Sequence, residues 1–138
     1  FLFALNDEYQ NITIFPLDRI KGLLKTSGLF IENDKVDFKH YFDDIIGVSS
    51  NKSDVPTLIV LRVCAEQLPY MLTKPLHHTQ EICKLLQDGN AIVSIKVKSN
   101  FELIQQLLSF GERVTVLEPE TLREEIKHRI ENNLRNYQ

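Results

Sequence analysis

The sequence predicts an α+β fold in which strands and helices follow one another in a split βαβ order. An extra C-terminal helix closes that unit, and a short strand-rich piece with a linking helix precedes it. Three observations carry this reading. Leu58 to Val63 is a near-continuous apolar run of strand length. The turn Asp88-Gly89-Asn90 leads into a strand in which Ala91, Val93, Ile95 and Val97 point one way and Ser94, Lys96 and Lys98 the other. Leu122, Ile126, Ile130 and Leu134 recur every fourth residue, as one stripe of a helix does.

The elements follow in order. Phe1 to Leu5 is apolar and strand-like, and Asn6-Asp7-Glu8 reads as a turn. Ile12 to Phe15, ended near Pro16, makes the second strand of a hairpin. Ile20 to Leu24 is expected to be a third strand, with Gly22 as a bulge or close-packing position. Phe38, Tyr41, Phe42, Ile45 and Ile46 share one helical face, so Asp37 to Ile46 is expected to be a helix, capped by Gly47. Ser49 to Asp54 is the most linker-like stretch. These signals divide the chain into residues 1–35, 36–54 and 55–138.

In the last part, Ala65 to Leu72 is expected to be a short helix, with Pro69 and Pro75 blurring its limits. Gln80 to Leu86 reads as the strand before the Asp88-Gly89-Asn90 turn. Ser99-Asn100-Phe101-Glu102 has the form of a capping box, opening a helix whose buried stripe is Phe101, Ile104, Leu107 and Leu108, ended by Gly111. Val114 to Leu117 is the last strand. Pro119 suits the first position of the final helix, where Glu125/Arg129 and Glu131/Arg135 have ion-pair spacing. The resulting order, βαββαβ plus a helix, is that of a ferredoxin-like domain.

Composition narrows the function. The chain has 138 residues, 43% hydrophobic and 25% charged, in the range of a globular domain that buries a core unaided. Its net charge of −3 argues against a globally basic nucleic-acid binder, so any such contact must come from a local patch. Two cysteines, Cys64 and Cys83, are too few for a disulfide framework and suit a reducing compartment. With no signal peptide or membrane-length apolar run, the expected location is the cytoplasm. The chain starts with Phe1 inside a strand-like run, so an upstream portion is expected to precede it.

Two stretches resemble one family. Phe1-Leu2-Phe3-Ala4-Leu5 followed by Ile14-Phe15-Pro16-Leu17-Asp18-Arg19-Ile20 is similar to the end of a WYL domain. There a Trp-Tyr-Leu strand, with which Phe1-Leu2 would align, precedes an F-x-L-D-R-I strand. Tyr41-Phe42 to Ile46-Gly47-Val48 resembles the connecting helix of those proteins. Lys74-Pro75-Leu76-His77-His78-Thr79-Gln80, Leu107-Leu108-Ser109-Phe110-Gly111 and Val116-Leu117-Glu118-Pro119 resemble the family's C-terminal extension, WCX. Where the family often carries Arg two residues before the Phe of its F-x-L-D-R-I strand, this chain has Thr13.

The resemblance implies a bacterial transcriptional regulator. A helix-turn-helix outside this chain would bind DNA. An Sm-like barrel, represented here by a partial fragment, would sense an anionic effector such as a nucleotide or a single nucleic-acid strand, and the extension would help form a homodimer. No membrane partner and no cofactor are implied.

Arg19, with Lys21 beside it, is the first candidate for that anion, because a guanidinium fork matches two phosphate oxygens. The alternative is that Arg19 pairs with Asp18 or a barrel carboxylate. Arg62, Lys84, Lys96 and Lys98 are a second candidate, a basic patch on the open sheet face, against the plain reading of a solvated face or an interface. His77 and His78 with a cysteine invite a zinc reading, but the spacing fits no finger or ribbon, so no metal is expected. No Gly-rich phosphate loop, nucleophile elbow or His-Glu-x-x-His is present, and Asp43-Asp44 and Glu124-Glu125 suit polar helix faces.

The chain is therefore expected not to be an enzyme. Acylphosphatase-like chemistry on this fold would need a phosphate-cradling Arg after the first strand, where Cys64-Ala65-Glu66-Gln67 stands instead. A small-molecule regulatory domain binding amino acids or other metabolites is the remaining alternative. The stripe Leu122 to Leu134 suits either a dimer seam or core, and Phe1 to Leu24 could exchange strands in a dimer.

Overall fold

The computed structural model describes residues 1–6, 8, 11–50 and 54–138. Asp7 of the expected first turn and Asn51 to Ser53 of the expected linker lie outside them. Contacts divide the chain into two compact units, Phe1–Asp34 and Lys35–Gln138.

The first unit contains an antiparallel hairpin of β1 (Leu2–Asn6) and β2 (Asn11–Phe15), with Leu2 opposite Phe15 and Ala4 opposite Thr13. Pro16 then starts a single 3₁₀ turn over Leu17–Arg19. The expected strand at Ile20 to Leu24 is not formed; these residues are irregular and largely exposed. A strand needs a partner ladder, and among the described residues nothing pairs with this segment, which Gly22 further weakens. Leu23, Leu24, Leu29, Phe30 and Ile31 are each at least 74% exposed.

The second unit is a four-stranded antiparallel sheet in the order β4-β5-β3-β6, formed by β3 (Thr57–Val63), β4 (Glu81–Leu85), β5 (Ala91–Val97) and β6 (Val114–Glu118). The helices are α1 (Leu68–Thr73), α2 (Phe101–Ser109) and α3 (Glu120–Arg135). Register explains the core. Ile59 faces Ile95, Leu61 faces Val93 and Val63 faces Ala91, and all six are fully buried on one face of the sheet. Met71, Leu103, Leu107 and Leu122 cover that face from the helices. Gly89, at φ +82°, turns the β4–β5 hairpin where a side chain would be strained.

Three local expectations are corrected. The α2 cap is Asn100, whose side chain accepts from Leu103 N at 2.9 Å, so the box is shifted by one residue and Ser99 is not its cap. That shift turns Phe101 outward, at 56% exposure, and puts Leu103 in the core. Asp37 to Ile46 forms successive turns, not a helix, with hydrogen bonds from His40, Asp43 and Ile45 N to the carbonyls three residues back. Aromatic and β-branched residues lose rotamer freedom in a helix, and Asp37 accepts from Lys39 N at 3.0 Å, a competing local turn. In α3 the Glu125–Arg129 pair forms at 3.0 Å, whereas Arg135 donates to Asn132 in place of Glu131.

Candidate functional site

The expected anion contacts of the first unit sit just past the hairpin. Arg19 ends the 3₁₀ turn, its N–H donating to the Pro16 carbonyl at 3.2 Å. Its side chain and that of Lys21 are exposed, and neither forms an ion pair among the described residues. The alternative pairing of Arg19 with Asp18 is not formed.

On the second unit, register places Arg62, Ile92 and Lys84 in one row across the open sheet face, with Lys96 opposite Leu58 further along β5. The face is of mixed charge. Arg62 Nη2 lies 3.0 Å from Asp88 Oδ2, and Glu81 stands opposite Ser94 between the Lys84 and Lys96 rows. Leu58, Val60 and Ile92 put apolar surface among these charges. The Lys96 backbone is pinned by Thr79, whose Oγ1 accepts from Lys96 N at 2.9 Å and donates to Lys96 O at 3.3 Å. Lys98 is half-buried and its N–H donates to the Asp44 carbonyl at 2.7 Å. The structure thus brings Arg62 and Lys84 into one row, sets Lys96 apart, and leaves Lys98 beyond the strand end.

That last bond belongs to a clamp no sequence pattern announced. The turns at Tyr41 to Ser49 form a strap docked onto the start of α2. Ile45 is 4% exposed and Ile46 packs against the core. Asn100 caps α2 with its oxygen, while its Nδ2 donates to Ile46 O at 2.7 Å and Ser49 O at 2.9 Å. Glu102 Oε1 accepts from Val48 N, Ser49 N and Ser49 Oγ at 3.2, 3.1 and 2.8 Å. Gly47 is required twice over: its φ is +79°, and a Cβ there would lie 2.5 Å from Glu102 Cγ. Burial raises the Glu102 pKa, but the Ser49 hydroxyl and the amides around it outweigh that, holding the carboxyl below its usual value.

His77, 9% exposed, sits against the same strap. Thr79 N donates to its Nδ1 at 3.3 Å, Thr79 Oγ1 lies 2.8 Å from that nitrogen, and its Nε2 is buried without a hydrogen-bond partner. Burial, then the neighbouring His78 ring at 4.1 Å, lowers its pKa below 6.5 against the pull of Asp43 and Asp44. Among the described residues no group of His, Cys, Asp and Glu is placed to hold a metal ion.

A concave feature of the second unit is a groove of about 720 Å³ between the end of α2, β6 and α3. Leu107, Val116, Ile126 and Ile130 line it, and Arg123, Lys127 and Arg129 stand along its α3 wall. Its size is that of a small-ligand or peptide pocket.

A protein-family model described as WCX domain matches residues 56–134. No curated protein matches the chain.

Proposed function

The chain belongs to the WCX domain family, and from that premise we propose that it is the effector-sensing and dimerising region of a DNA-binding transcriptional regulator of the WYL type. The helix-turn-helix that binds DNA would lie elsewhere in that regulator. The observation that carries this reading is the WCX match over residues 56–134, behind a hairpin that runs into Phe15-Pro16-Leu17-Asp18-Arg19-Ile20. The strand order β4-β5-β3-β6, with helices between β3 and β4 and between β5 and β6, supports a ferredoxin-like domain.

In this reading the first unit is the fragment of an Sm-like barrel. Arg19 and Lys21 contact an anionic effector, a nucleotide or a short nucleic-acid strand, because both are exposed cations without a carboxylate partner among the described residues. The protein acts in the cytoplasm as a homodimer and is not an enzyme. Among the described residues, no helix is long and apolar enough to cross a membrane.

Titrating the full-length regulator with short single-stranded DNA, RNA and nucleotides tests it. Arg19→Ala should weaken binding about tenfold, the loss of one charge-assisted contact. Equal binding by both proteins removes Arg19 from the site, and no binding of any anion ends the effector reading. A second reading, a metabolite-binding regulatory domain, is favoured by the mixed charges and apolar residues of the open sheet face. A thermal shift with amino acids and none with oligonucleotides would select it.

A further inference from the structure

We propose that the groove beneath α3 receives the segment Leu29 to Asp34 of a second copy of the chain. This rests on the homodimer of the preceding reading and names the surface that makes it.

Two unsatisfied surfaces are present in one chain. Leu29, Phe30 and Ile31 are 95%, 87% and 74% exposed, three large apolar side chains in succession on an irregular segment. The groove presents the complement: an apolar floor of Leu107, Val116, Ile126 and Ile130, with Ile130 still 52% exposed. Side chains of this kind held in water mark a surface that another one covers.

Charge agrees with shape. Carboxylates follow the apolar triplet at Glu32 and Asp34, and cations line the α3 wall at Arg123, Lys127 and Arg129. Those cations pair with Glu120, Glu124 and Glu125 of their own helix at 3.8, 3.2 and 3.0 Å. These pairs are exposed, so they are weak and exchangeable. Their carboxylates do not line the groove, where Glu112 is the one acid among the described lining residues.

Spacing agrees as well. From Ile31 to Asp34 an extended chain covers about 10 Å. From Ile130 to Arg123 an α-helix covers about 10 Å. Ile31 at the Ile130 end therefore brings Asp34 to Arg123, with Glu32 near Lys127. A two-fold pairing would fill both grooves and cover both segments at once, because each copy carries one of each.

Sedimentation of the full chain across a concentration series tests the surface. Phe30→Asp and, separately, Ile130→Glu should each weaken dimerisation at least tenfold. Phe30 is exposed, so its substitution leaves folding unchanged, which a melt verifies. Asp34→Lys should weaken the dimer, and Arg123→Glu added to it should restore most of the loss. A dimer indifferent to these substitutions overturns the groove but leaves the homodimer standing; a monomer at every concentration overturns both. Cross-links between positions 30 and 130 in a mixture of heavy- and light-labelled chains should be mixed, and links within single copies alone would overturn docking by a second copy.

Discussion

His77 and Glu102 are separated by two strands, β4 and β5, in sequence, yet both press on one strap, and their protons report on it differently. His77 is held neutral by burial, so its folded pKa lies below the unfolded 6.5. Below pH 6.5 the unfolded chain binds this proton more readily, and stability falls until the folded pKa is reached. Glu102, with a folded pKa below 4.5, contributes stability that persists above that value and fades as pH falls through its folded pKa. His40 runs the other way. Its exposed ring lies 2.7 Å from Asp43, which raises its pKa, so its contribution is complete below 6.5 and disappears as pH rises through the folded value. The expected outcome is a melting temperature that declines from pH 7 to pH 5 in the wild type and less so in His77→Gln. Parallel curves for the two proteins would mean that burial of His77 is not what titrates.

Elements whose signals are local were legible in the sequence. Those decided by a distant partner were not. Strands β3 and β5 announce themselves by apolar run and alternation, and the turn between β4 and β5 by Asp88-Gly89-Asn90. The expected third strand at Ile20 to Leu24 failed because pairing lies outside the segment's own residues, and the linking helix failed where local turns such as that of Asp37 replaced it. Of the site, strand alternation put Arg62, Lys84 and Lys96 on one sheet face, but the row that Arg62 and Lys84 share follows from the register between strands. The Asn100–Glu102 clamp was not, because its partners lie about fifty residues upstream. The α3 stripe left core and seam open, and the structure divides it. Leu122 is 3% exposed and Leu134 56% exposed. Leu122→Ala should therefore cost about 3 kcal/mol in urea unfolding, and Leu134→Ala less than about 0.5 kcal/mol. A comparable loss for Leu134 at dilution would show that the distal stripe is already core in the monomer.

At the scale of the molecule, the two units differ in what they can sustain. The second owns a core in which Ile59, Leu61, Val93, Ile95 and Leu103 are fully buried. The first is a two-stranded hairpin with no buried residue among those described. A lone hairpin is marginal in water, since its few hydrogen bonds are open to solvent and little apolar area offsets the backbone entropy. Native-state hydrogen exchange should therefore separate them. Amides of Leu2 to Phe15 should exchange at least a hundredfold faster, after correction for intrinsic rates, than those of Leu61 and Val93, because local opening exposes the hairpin without unfolding the sheet. If strands of a second copy or of the rest of a barrel complete the hairpin, protection should rise with protein concentration in the first case and only in the longer protein in the second. Equal protection of hairpin and core in a dilute monomer would show that the hairpin is already covered, and the barrel-fragment reading would fall with it.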